Sequence, residues 1–231
     1  MRKMIKENAK AAFRMHYWPM VGVELVAGAL MGTGYSFSTT FSRGDMKDVQ
    51  EFVQNNEWMQ KLIGPIIGIS IAAVVIGLLY AFLFGNVIQV GVSGIRLNVY
   101  RGQGFRFVDL FSGLKQYWRI VGTMALYTLF VTLGFLCFFI PGIIVSLGLF
   151  EVPFLLADDP NLSGMDAIKK SWEDMRGHKG ELFGFGLSFI GWILLSILTM
   201  GVLAIFYTGP YMSIAHAGFY HELHANEQTA A

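Results

Sequence analysis

Long stretches without Lys, Arg, Asp or Glu organise the chain. Residues 18–42 contain only Glu24, and residues 62–95 contain no such residue. Residues 120–157 contain only Glu151, and residues 182–221 again contain none. A hydrocarbon core ~30 Å thick is crossed by roughly 20 helical residues. The last two runs hold 38 and 40 residues, which as single helices would measure about 57 and 60 Å. Each is therefore expected to fold back on itself. The midpoint of the first lies beside Pro141-Gly142, and that of the second at Thr199-Met200-Gly201. Gly and Pro are the residues expected at such reversals. Pro210 then falls inside the final span, where kinks are tolerated.

Between the apolar runs lie amphipathic stretches. Met4, Ile5, Ala9, Ala12, Phe13 and Tyr17 share one helical face, with Lys3, Lys6, Lys10 and Arg14 elsewhere. Phe107, Val108, Phe111, Leu114 and Trp118 repeat the pattern, as do Met165, Ile168, Trp172 and Met175. Ser163 with Asp166 forms a helix-start signal for the third stretch. The junctions themselves look alike. RMHYWPMVG (14–22) aligns with LKQYWRIVG (114–122), pairing Tyr17-Trp18 with Tyr117-Trp118, and RGHKGELFG (176–184) is a weaker third copy. Helices of this kind lie in the membrane interface, with Tyr17, Trp18, Tyr117, Trp118 and Trp172 as belt anchors.

The expected architecture is all-α and polytopic, with six transmembrane helices in three hairpins. A cytoplasmic interfacial helix precedes each hairpin. The expected bounds are interfacial helix 3–17 with spans about 18–38 and 63–92, then helix 105–117 with spans about 119–140 and 142–157, then helix 163–177 with spans about 181–200 and 202–222. The pattern also predicts a short amphipathic helix over 45–61, using Met46, Val49, Phe52 and Val53.

Composition agrees with a membrane protein. Of 231 residues, 54% are hydrophobic and only 14% are charged, against about 25% charged in soluble domains. The net charge of +1 gives no basic excess of the kind nucleic-acid binding requires. A single cysteine, Cys137, excludes an intrachain disulfide. Fourteen of the 17 Lys and Arg residues fall before span one, between spans two and three, or between spans four and five. The positive-inside rule then places both termini in the cytoplasm. Glu24 interrupts the first apolar run, so that run reads as an uncleaved anchor helix and not a removed signal.

Several segments carry a family resemblance. IPGII (140–144), LADDPNLSGMDAIKKSWEDMRGHKGELF (156–183), LSFIGWILLSILTMG (187–201) and PYMSIAHAGFYHEL (210–223) stand in order at close spacing. With AKAAFRMHYW and VDLFSGLKQYW, they resemble bacterial polytopic membrane proteins catalogued as domain of unknown function 975. The resemblance implies location in a bacterial plasma (inner) membrane and supplies no activity. It extends to the membrane domain fused to some glycerophosphodiesterases, whose catalytic barrel this chain has no room for. An aromatic is usual in the family after Gly-His-Lys; here Gly180 stands there.

Candidate chemistry is confined to polar residues in apolar surroundings. Glu24 and Glu151 are intramembrane acids, each costing at least about 2.5–3.5 kcal/mol, and are functional candidates for that reason. The competing expectation is a structural contact or snorkelling, with Pro153 supplying local backbone irregularity beside Glu151. Asn86 and Gln89, followed by Ser93 and Arg96, either line a polar cavity or bond between helices. His221 and His224 share a helical face, but HELH lacks the spacing of HExxH and no closing ligand is evident, so no metal is expected. The pairs Gly28/Gly32, Gly64/Gly68 and Gly180/Gly184 fit a close-packing pattern. No nucleophile elbow, phosphate loop or paired-carboxylate site occurs, so no catalytic residue and no cofactor is assigned.

The leading expectation is therefore a non-enzymatic membrane protein. It would bind lipid or a membrane-active peptide, or assemble with another membrane protein. Anionic lipid is a candidate partner through the Lys/Arg clusters. The rivals are a small-solute or ion transporter using Glu24, Glu151, Asn86 and Gln89, and, behind it, an intramembrane enzyme.

Overall fold

The computed structural model describes residues 2–31 and 57–230, and every regular element among them is helical. The helix expected over 45–61 lies largely outside the described residues. The elements are α1 (Arg2–Met15), α2 (Tyr17–Leu30), α3 (Glu57–Tyr80), α4 (Asn86–Tyr100), α5 (Tyr117–Cys137), α6 (Phe139–Gly148), α7 (Val152–Asp158), α8 (Gly164–Asp174), α9 (Lys179–Leu187), α10 (Ile190–Leu198) and α11 (Gly209–Ala230). A π turn over Ala81–Gly85 joins α3 to α4, a second over Ala204–Thr208 leads into α11, and a 3-10 segment spans Phe107–Gln116.

Four helical stretches are long and apolar enough to cross a membrane: Ile71–Tyr100, Phe107–Cys137, Phe139–Asp158 and Lys179–Leu198. Two expected spans are missing from that set for different reasons. Helix α2 has 14 residues, Glu24 among them, too few to cross by itself. Helix α11 is long enough but not apolar enough. It is wrapped by protein, with Tyr211, Ile214, Ala215, Ala217, Phe219, Tyr220 and Leu223 all buried. Shielded from lipid, it can carry Ser213, His216, Glu222 and His224.

The first reversal differs in place from the expectation. Helix α5 ends at Cys137, and Phe138 is extended (φ −166°, ψ 158°). The chain turns back there, bringing Gly134 against Gly142 and Val145. Pro141 and Gly142 stand in the first turn of α6, not in the turn itself. Proline suits that position because a first-turn N–H has no intrahelical acceptor. Glycine suits it because a Cβ on Gly142 would collide with the Phe135 ring. At the second expected reversal, Met200 and Gly201 have left-handed φ values of 52° and 85°.

The amphipathic segments are built into the protein. Ile5, Ala9, Ala12 and Phe13 of α1 are buried against a core that includes Phe185, Tyr211, Ile214 and Phe219. Their apolar face thus meets protein where an interfacial helix would meet lipid. Lys6 donates to the Ser188 carbonyl at 3.1 Å and lies 4.3 Å over the Phe189 ring, and partial burial lowers its pKa. Asp109 caps the 3-10 segment, accepting from the Arg106 N–H at 2.7 Å. That segment crosses α4 closely enough that a Cβ on Gly91 would strike the Leu110 carbonyl. Ser163 caps α8 by accepting from the Asp166 N–H at 3.2 Å. Of the expected glycine pairs, Gly28, Gly68 and Gly180 face open space. The close approaches fall at Gly91, Gly113, Gly134, Gly142, Gly148, Gly164 and Gly218, and at Gly184 of the last expected pair, which meets the Arg2 guanidinium.

The two aromatic junctions are geometric twins. Tyr17 meets Trp18 at 5.3 Å and 80°, and Tyr117 meets Trp118 at 5.3 Å and 82°. Both tryptophans are largely exposed, as belt residues facing headgroups would be. Trp172 is covered on one face by Lys179, whose Nζ lies 3.4 Å from the ring centroid.

Candidate functional site

Helix α2 brings Glu24 beside Arg96 of α4. The Arg96 Nε–H donates to Glu24 Oε1 at 2.9 Å, and Nη2 donates to Oε2 at 2.8 Å. Ser213 of α11 donates to the same Oε1 at 2.8 Å. A carboxylate that looked like an isolated intramembrane acid is thus held in a two-pronged ion pair with a third hydrogen bond. The sequence displayed the members of this trio but not their pairing, because they lie 72 and 189 positions apart.

Arg96 also borders a cavity of about 380 Å³ between α4, α5, α6, α7 and α11. Its polar lining comprises Gln89, Ser93, Ser146, Ser213 and His216. Its apolar lining includes Tyr127, Phe150, Pro153 and Phe154. Two of the Arg96 N–H groups point to Glu24, and the guanidinium has five in all. Of the four sequence candidates, Gln89 lines this space. Asn86 does not; its side-chain amide donates back to the Phe82 carbonyl at 2.9 Å. Gly209 and Met212 complete the wall, and both also line a neighbouring groove of about 430 Å³. That groove is largely apolar, with Ile193, Ile197, Met200 and Ala204 on its sides.

Glu151 belongs to a second cluster. The helical run breaks between α6 and α7, beside Pro153, and the Glu151 N–H donates to Ser171 Oγ at 3.2 Å. Ser171 in turn donates to the Gly148 carbonyl at 2.9 Å, pinning the break to α8. The Glu151 side chain is completely buried. Its carboxylate stands with Asp174 of α8 and His224 of α11, one ligand-capable atom from each lying within 4.8 Å of the others. His224 Nε2 is 3.8 Å from Asp174 Oδ2. The Tyr220 ring packs on the His224 ring with centroids 4.4 Å apart. The Tyr220 hydroxyl donates to Asp158 at 3.3 Å. Asp158 closes the cluster through a two-pronged pair with Arg101 at 2.7 and 3.0 Å. Those bonds raise the Arg101 pKa above its ordinary value.

The spacing of His221 and His224 along one helix shows no closing ligand; in the structure His224 stands beside Glu151, in the break before α7, and Asp174 of α8. Glu24 and Glu151 do not share a site.

Residues 122–227 match the family model described as "Protein of unknown function (DUF975)", the family that the motifs from Ile140 onward resemble. No curated protein and no solved structure matches the chain.

Proposed function

We propose that this is a multi-pass protein of a bacterial inner membrane, with cytoplasmic termini, which binds a phospholipid and catalyses no reaction. The observation that carries the reading is the shared wall of the two spaces. A cavity rimmed by Arg96, Gln89, Ser93 and Ser213 adjoins an apolar groove across Gly209 and Met212. A polar chamber continuous with an apolar one matches a molecule with a hydrogen-bonding head and a hydrocarbon tail. The chamber volume lies in the range of small-molecule sites, roughly 300–1,000 Å³. Depth supports the same ligand. Arg96 lies four residues before the end of α4, about 6 Å of helix, at the level of a headgroup of the inner leaflet. The groove, near the Met200-Gly201 reversal, runs away from that side. In this reading the apolar runs over about 18–38 and 202–222 complete six spans.

Transport draws less support, because the four polar candidates do not line one passage. Asn86 bonds within its own helix, and Glu151 sits in a separate cluster.

The test is native mass spectrometry of protein released from nanodiscs of mixed phospholipids. A retained phospholipid is expected for the wild type. Met212→Trp, which fills the shared wall, and Gln89→Leu with Ser93→Ala, which strip the head chamber, should each reduce it. Equal retention by all forms would refute the reading. Liposome flux abolished by Glu24→Ala plus Glu151→Ala would favour the transport rival.

A further inference from the structure

We propose that Glu151, Asp174 and His224 form a binding site for a divalent transition-metal ion of the zinc class, which clamps α7, α8 and α11 together. This site is separate from the lipid chamber, and neither proposal depends on the other. Three features carry the inference.

The first is the donor set. Two carboxylates and an imidazole, with donor atoms all within 4.8 Å, are the N/O ligands that zinc takes at about 2.0–2.2 Å. Donors at that radius stand roughly 3–3.5 Å apart in a tetrahedron. Side-chain rotation of about an ångström closes the gap without moving a helix. The imidazole directs the site away from Mg²⁺ and Ca²⁺, which take oxygen ligands.

The second is burial and charge. Glu151 is completely buried, and a buried carboxylate is retained where it is paired or coordinates a metal. One divalent ion matches the charge of Glu151 and Asp174 together.

The third is preorganisation. Ser171 fixes the backbone at Glu151, and the Tyr220 ring orients the His224 imidazole. The ligands come from three elements, so one ion ties together the break after α6, the polar helix α8 and the central helix α11. Supported ligand positions of this kind are characteristic of metal sites.

The experiment uses the full chain, purified in detergent, stripped with a chelator and dialysed against Zn²⁺ alone. One tightly held equivalent is expected. Glu151→Gln, Asp174→Asn and His224→Gln should each weaken binding at least tenfold, while His178→Gln, at an exposed histidine beside Glu181, should leave it unchanged. Co²⁺ loading reports the coordination directly, and the visible ligand-field bands of the wild type should be lost in His224→Gln. Should a variant fail to fold, the wild type alone decides. Zn²⁺ should raise its melting temperature by mass action, whereas equal Mg²⁺ should not. Absence of bound zinc in the wild type overturns the proposal. So does full retention of zinc and of the cobalt spectrum by the three folded variants.

Discussion

Removing both members of the Glu24–Arg96 pair should cost little more than removing either one. The charge centres are about 4 Å apart, and at an effective dielectric of 20 their attraction is about 4 kcal/mol. Desolvation offsets much of this, and each side chain keeps about a fifth of its surface exposed. The net coupling should therefore be about 2 kcal/mol. Losing one partner leaves the other charge in apolar surroundings, and such losses cost about 3–5 kcal/mol when burial is complete. With the residual exposure, Glu24→Ala and Arg96→Ala should each destabilise by about 2–3 kcal/mol. The double variant should cost about 2–4 kcal/mol, well short of the sum. Ser213→Ala removes one hydroxyl from the carboxylate and should cost about 1–2 kcal/mol. The assay is a double-mutant cycle on reversible unfolding in mixed micelles, followed by circular dichroism. Single losses below about 0.5 kcal/mol that simply add would refute the reasoning. The pair would then be a surface contact with no hold on α2, α4 and α11.

Three further outcomes follow from the packing. Gly91→Ala forces a methyl group into the Leu110 carbonyl and should destabilise by about 1–3 kcal/mol, while Gly28→Ala, facing open space, should change stability little; thermal unfolding of the two variants compares them. Met200→Gly relieves a left-handed residue that is 84% exposed and should stabilise by about 0.5–1 kcal/mol, whereas Gly201→Ala should cost a similar amount in the same assay. Trp18 and Trp118 should be quenched to the same extent by bromolipids of a given label depth, read from variants that keep one tryptophan each, because their junctions share one geometry.

Helical class and the approximate places of reversal were legible because they depend on local physics. Bilayer thickness limits the length of an apolar run, and the 3.6-residue period marks an amphipathic face. Resolution was lost within a few residues. Phe138, not Pro141-Gly142, makes the first turn, because proline and glycine serve equally well in a helix's opening turn packed against its neighbour. Likewise the apolar face of α1 signalled burial without naming the burying surface, which is protein.

The sequence by itself determined an all-helical membrane chain, its polar outliers and the positions of its amphipathic segments. Tertiary structure alone decided what those outliers do. Glu24 acquired Arg96 and Ser213, while Glu151 acquired Asp174 and His224. Asn86 was turned back on its own helix. The physical reason is the same in each case. Hydrophobic length and periodicity are properties of one segment, but ion pairs and ligand sets are fixed by which faces of distant helices meet. In α11 the two levels conflict, since a helix polar enough to fail as a lipid-facing span becomes the centre of the protein once other helices surround it.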